Sequence, residues 1–236
     1  MVTATLTRQL YDENYLADKR VDMPLADILA MPELDVTAVS HKPSVEVAAR
    51  NAYDKVSRMP ALPEERYAGS VPVRIHGSDA PYRGVTEFRP EYHGKRSRAR
   101  LRAAQVGIKK GEPDPQRVLD HEAMHVKSEP LVNYVQDIPE PLARLLLEGY
   151  AEFRLMKTAE EEGRSQESDN IYQSSPYKMG IRVADRIDKT YVSELTGQRG
   201  IDAFAADIVH YKSGKMAWNR AKMLNVSSKA GYAKAV

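Results

Sequence analysis

Two histidines four residues apart, with a glutamate directly after the first, constrain this chain more than any other feature: His121-Glu122-Ala123-Met124-His125. Residues at i and i+4 are one turn apart on the same face of an α-helix, whereas on a strand they lie about 13 Å apart, so this pair can act together only if the stretch is helical. The flanks agree. Asp114 is a good N-cap, Pro115 suits the first helical position and Pro130 sets a limit, which predicts a helix from about Pro115 to Ser128. On such a helix both imidazoles can reach one tetrahedral ion, and Glu122 stands beside it, placed to take a proton from water. His121 and His125 are therefore candidate metal ligands and Glu122 a candidate general base.

The donor types available are limited. The 236 residues include no cysteine, which excludes disulfides, thiolate zinc sites, iron–sulfur clusters and a cysteine nucleophile. Any metal must be held by the 6 histidines and the carboxylates. A second helix, expected over Glu140–Glu162, carries Glu148-Gly149-Tyr150-Ala151-Glu152-Phe153. Glu148 follows His125 by 23 positions, room for a turn and a returning antiparallel helix, and is the candidate third ligand. Glu152 lies one helical turn on, where a carboxylate can accept the free N–H of a ligating histidine and fix its tautomer. Leu145, Leu146 and Leu147 crowd these carboxylates with apolar neighbours, and buried carboxylates need a compensating charge.

These two motifs together resemble the gluzincin metallopeptidases, the zincins whose third zinc ligand is a glutamate. The EGYAEF segment is most similar to the aminopeptidase N-like branch, whose second helix reads N-E-G-F-A-x-Y. A third segment, Tyr172 to Gly180 (YQSSPYKMG), is similar to that branch's P-Y-x-x-G, in which the tyrosine stabilises an oxyanion. The resemblance spans about Arg98–Thr196 and implies a minimal gluzincin domain that binds zinc (Zn2+) through His121, His125 and Glu148. It implies a metallopeptidase with Glu122 and Tyr177 as catalytic residues, acting on a peptide or protein substrate. Val209-His210-Tyr211-Lys212-Ser213-Gly214 is also similar to the V-H-x-N-S-G segment of thermolysin-like peptidases, which makes His210 a rival oxyanion donor. Lys127 stands where these enzymes carry an apolar residue, and the upstream G-x-M-E-N segment that holds a substrate's amino terminus is not found. Aminopeptidase specificity therefore does not follow. His41, His76 and His93 have no ligand at suitable spacing and read as structural.

The remaining chain divides by texture. Residues 1–67 read as helices punctuated by Pro24, Pro32, Pro43, Pro60 and Pro63, the best running from Ser44 to Arg58, and form a structural segment or a prosegment. Residues 68–236 form the expected zincin-like domain. Strand signals occupy 71–75, 85–89 and 98–106, and the last alternates Arg98, Arg100 and Arg102 against Ala99, Leu101 and Ala103. In zincins the strand before the active-site helix is a sheet edge that pairs with substrate. Arg98–Val106 is the expected edge, its arginine face favouring acidic substrates. A third helix is expected over Pro176–Thr196, stopped by Gly197, with an exposed loop over Glu161–Ser175. The expected fold class is α+β and zincin-like: a small mixed sheet with the active-site helix, then a mainly helical C-terminal subdomain.

Charge and hydropathy exclude other classes. No apolar run approaches the roughly 20 residues of a membrane span. The N-terminus lacks a signal-peptide h-region, which favours the cytoplasm. Eight lysines and arginines between Arg89 and Lys110 raise an alternative, a nucleic-acid-binding or regulatory protein with a structural zinc site. Against nucleic acid, the net charge is only +2 and the stretch lacks the repeated aromatic interleaving that base stacking uses, Tyr92 being its one aromatic.

Overall fold

The computed structural model describes residues 43–65, 71–91 and 100–223. Over these residues the chain is a mixed α+β fold, mostly helical, with eight α-helices and one three-stranded sheet. Helix α1 (Val45–Ser57) comes first, then β1 (Val73–His76), β2 (Gly84–Glu91) and β3 (Arg100–Lys109). Helices α2 (Pro115–Lys127), α3 (Glu129–Tyr134) and α4 (Glu140–Glu161) follow, with a 3-10 turn at Val135–Asp137. The chain continues through α5 (Ser165–Ser174), α6 (Lys178–Thr190), α7 (Ile201–Tyr211) and α8 (Gly214–Met223). No helix among the described residues is long and apolar enough to cross a membrane.

The sheet is mixed, in the order β1-β3-β2. Strand β3 runs parallel to β1, with Val73 opposite Val106, and antiparallel to β2, with Gly84 opposite Ile108 and Glu91 opposite Arg100. The strand expected at the edge is thus the central one. Beyond β1's reach, side chains from α3 close its remaining backbone groups. Asn133 accepts from Leu101 N–H at 2.7 Å and donates to its carbonyl at 3.0 Å, and Glu129 accepts from Ala103 N–H at 3.0 Å. Its arginine face is also occupied: Arg100 pairs with Glu64 at 3.2 Å, and Arg102 with Glu91 at 2.7 Å and Glu129 at 3.5 Å. Among the described residues the edge strands are β1 and β2, and of the two only β2 lines the cleft that holds Glu122. Arg98 and Ala99 lie outside them, as do His41 and His93.

Helix α2 forms as its sequence predicts. Asp114 caps it by accepting from Arg117 N–H at 3.2 Å, and Ser128 closes it by donating to the Met124 carbonyl at 2.7 Å. Val118, Leu119, Ala123, Met124 and Val126 bury its apolar side. Helix α1, capped by Ser44, packs on it through Ala48, Ala49, Ala52 and Val56 and shares the same core. Polar contacts stitch the two together: Lys55 pairs with Asp120 at 2.8 Å, and Asn51 donates to the Gln116 side chain at 3.3 Å. Lys127, the departure from the gluzincin pattern, is buried and pairs with Glu65 at 2.8 Å, tying the segment after α1 to the end of α2.

Two further expectations change. The stretch 161–175 holds a helix, α5, because Ser168 and Ile171 are buried and Ser168 donates to Glu160 at 2.8 Å. Glu167 adds an ion pair to Lys55 at 2.7 Å. Helix α6 stops at Thr190 instead of Thr196. There the Tyr191 hydroxyl donates to Asp207 at 2.6 Å and the Ser193 hydroxyl at 2.8 Å. Ser193 also accepts the N–H groups of Leu195 and Thr196, both at 3.2 Å, so the chain turns out of the helix before Gly197. Leu195, near the end of the expected helix, is exposed.

Candidate metal centre

Three donor atoms from two helices converge. Nε2 of His121 lies 3.0 Å from Nε2 of His125 and 2.9 Å from Oε2 of Glu148, and the His125–Glu148 separation is 3.2 Å. Among the described residues these three form the one cluster of potential metal donors, and they could hold a metal ion. A tetrahedral ion with bonds of about 2.0–2.1 Å has ligand atoms about 3.3 Å apart, close to this triangle. The two imidazoles meet edge to face, their centroids 4.6 Å apart.

The electrostatics favour a cation at the centre. Nδ1 of His121 sits 2.8 Å from Oε1 of Glu152, off the ring N–H axis, and that carboxylate's other oxygen contacts the Arg117 guanidinium. Glu152 is buried. With its proton on the nitrogen facing Glu152, a neutral His121 presents a lone pair to both Glu148 and His125. Such an arrangement needs a proton or a cation between the groups. Burial opposes the imidazolium, but Glu148 and Glu152 outweigh it and push His121 up to about 10. Burial would likewise raise Glu148, but the two histidines hold it well below the usual carboxylate range. Glu152 is lowered by His121 and Arg117 against the same opposition.

A close helix crossing sets the position of Glu148. Gly149, the next residue, meets Gly180 of α6 backbone to backbone: a Cβ at 149 would lie 2.4 Å from the Gly180 carbonyl oxygen. One at 180 would lie 2.8 Å from Gly149 Cα. The glycines of E-G-Y and P-Y-K-M-G thus serve one contact, which brings α4 and the start of α6 together and puts Tyr177 beside the cluster. The Tyr177 ring stacks on His121, centroids 5.7 Å apart and planes 12° from parallel. Its backbone N–H donates to Ser175 Oγ at 3.0 Å. Burial and the negative Glu148 push its phenol above the usual value, while the nearby Arg144 guanidinium works the other way.

Glu122 faces the same cleft from α2. The Thr86 hydroxyl of β2 is 2.7 Å from its Oε2, and Gly84 lets the strand press so closely that a Cβ there would meet Glu122 Oε1 at 2.7 Å. The cleft, about 720 Å³, is bounded by β2 on one side and by α2, α4 and Tyr177 on the others. His210 does not line it; it is exposed at the end of α7. His76 lies on β1 against Tyr82, away from any donor cluster. Sequence reasoning missed Thr86, Arg117 and Arg144. For Arg144 a signal existed, its position one helical turn before Glu148; Thr86 and Arg117 become visible only when β2 and α4 are docked on α2.

The chain matches no protein-family profile, no curated protein and no solved structure.

Proposed function

We propose that this protein is a zinc-dependent metallopeptidase of the gluzincin kind, with His121, His125 and Glu148 holding the metal. The observation that carries the reading is the convergence of these donor atoms within 2.9–3.2 Å of one another, in the cleft that also holds Glu122. Two imidazoles and one carboxylate are the protein ligand set of many catalytic zinc sites, which leave a position for water. When bound there, zinc would acidify a water and polarise the scissile carbonyl.

The chain's own groups supply the rest. Glu122, oriented by the Thr86 hydroxyl, accepts the proton of the attacking water and returns it to the leaving amine. The Tyr177 hydroxyl, an ordinary phenol whose pKa is only pushed further up, is neutral at pH 7, so it donates a hydrogen bond where negative charge develops on the substrate oxygen. Glu152 holds the His121 ring and is itself held by Arg117. The free edge of β2, with Gly84, Val85 and Thr86 on the cleft wall, takes an extended substrate by strand addition.

Digestion of a degenerate peptide library by the wild type and Glu122→Gln, with zinc content measured on both, tests this. The expected result is cleavage by the wild type, none by the variant, and equal zinc. Cleavage that survives Glu122→Gln, or a zinc-loaded wild type that cuts nothing, would refute the reading.

A further inference from the structure

We infer that Arg144 binds a carboxylate of the substrate, so that the cleft selects peptides carrying negative charge beside the scissile bond. The inference rests on the peptidase reading above and adds the substrate class. Arg144 lies on α4 one turn before Glu148, so both project from one helix face into one cleft. It is exposed, and among the described residues it makes no ion pair, although Glu140 and Glu148 stand one turn away on either side. The other arginines around the site are engaged: Arg117 with Glu152, Arg100 with Glu64, Arg102 with Glu91 and Glu129. Its guanidinium lines the same cleft as Tyr177 and is near enough to oppose the rise of that phenol's pKa, which places it next to the reacting atoms.

That position has a specific chemical meaning. A guanidinium offers five donors in a planar fork that matches a carboxylate bidentately, and among the described residues no ion pair takes up those of Arg144. The neighbouring wall mixes Ala143, Leu147, Ile138 and Val135 with Gln136 and Glu140, and Arg144 is the one lysine or arginine among the described residues that line the cleft, the partner there for a substrate carboxylate. The carboxylate is either the peptide's C-terminal group or an Asp or Glu side chain; both present the same two oxygens.

Glu122→Gln protein, which binds without turnover, separates these possibilities. Three fluorescent peptides of the same apolar sequence are titrated against it: a C-terminal acid, its amide, and the amide with an internal glutamate. A charged hydrogen bond of the usual strength predicts roughly 10- to 100-fold tighter binding of one charged peptide than of the plain amide. Preference for the free acid assigns the terminal carboxylate; preference for the internal glutamate assigns the side chain. Adding Arg144→Ala should abolish the preference and Arg144→Lys retain part of it, with thermal stability unchanged because the residue is exposed. Equal binding of all three peptides, or a preference that survives Arg144→Ala, overturns the inference. So does a uniform fall in wild-type kcat on Arg144→Ala with KM unchanged for every peptide, which would make Arg144 a positioning residue for Tyr177. If no peptide is cut yet Arg144-dependent binding persists, the peptidase reading fails and the carboxylate site stands.

Discussion

Replacing Gly149 by alanine sets two opposing effects against each other, and the geometry decides the sign. In an open helix interior, glycine to alanine stabilises by about 0.5–1 kcal/mol, because glycine loses more backbone freedom on folding. Here the new methyl would sit 2.4 Å from the carbonyl oxygen, 2.5 Å from the carbonyl carbon and 2.7 Å from the Cα of Gly180. Ordinary contacts begin near 3.4 Å, so α4 and α6 must separate by about 1 Å. All three obstructing atoms are backbone, and no rotamer change relieves them. Overpacking of this kind costs about 1–3 kcal/mol, and a rigid helix–helix contact belongs at the upper end. After the propensity gain is subtracted, the net loss is about 2 kcal/mol, or a fall in Tm of about 4–8 °C for a domain of this size. The same separation moves Glu148 away from the histidines of α2, so zinc affinity falls as well. Thermal unfolding of the metal-free protein and chelator competition measure the two effects independently. A Gly149→Ala protein as stable as the wild type, or more so, with unchanged zinc affinity, would show that the helices do not cross as described.

Other perturbations probe single groups. Tyr177→Phe should lower kcat about 10²–10³-fold while KM and zinc affinity hold, as loss of one oxyanion donor does; steady-state kinetics with bound zinc quantified would expose a merely structural ring. Glu152→Gln should weaken zinc binding about 10- to 100-fold by releasing the His121 ring, and an unchanged affinity in chelator competition would deny it that role. In the metal-free protein, the raised pKa of His121 stabilises the fold below its ordinary 6.5, a contribution lost as pH rises toward 10. Zinc must displace that proton. Calorimetry at pH 7 in buffers of different ionisation enthalpy should therefore show proton release on zinc binding, and affinity should grow with pH; pH-independent binding would contradict the electrostatics of the cluster.

What could be read from the chain beforehand follows the range of the interactions involved. Helix α2 was legible because its determinants are local: the Asp114 cap, Pro115 at the first turn, and two histidines that meet through the helical repeat alone. Glu148 could be named from its spacing, but what puts it there, the Gly149–Gly180 contact, joins two helices and becomes visible only in space. Alternation in Arg100–Ala103 reports which side chains share a face and says nothing about which strands flank β3. The parallel return of β1 places it centrally, and Glu64, Glu91 and Glu129 neutralise the arginines from three different segments. Polar SQESDNIYQS has little intrinsic reason to be helical and becomes so because Ser168 and Ile171 find buried partners. Helix α6 ends early for the converse reason, since the buried Asp207 captures Tyr191 and Ser193.

X-ray absorption at the zinc edge of the purified, zinc-reconstituted protein tests the metal centre most directly. One zinc per chain is expected, in a shell of nitrogen and oxygen at about 2.0–2.1 Å with the multiple-scattering signature of two imidazoles. That signature should weaken to one imidazole in His125→Ala. A protein that retains no zinc, or a wild-type shell without imidazole, would contradict the account.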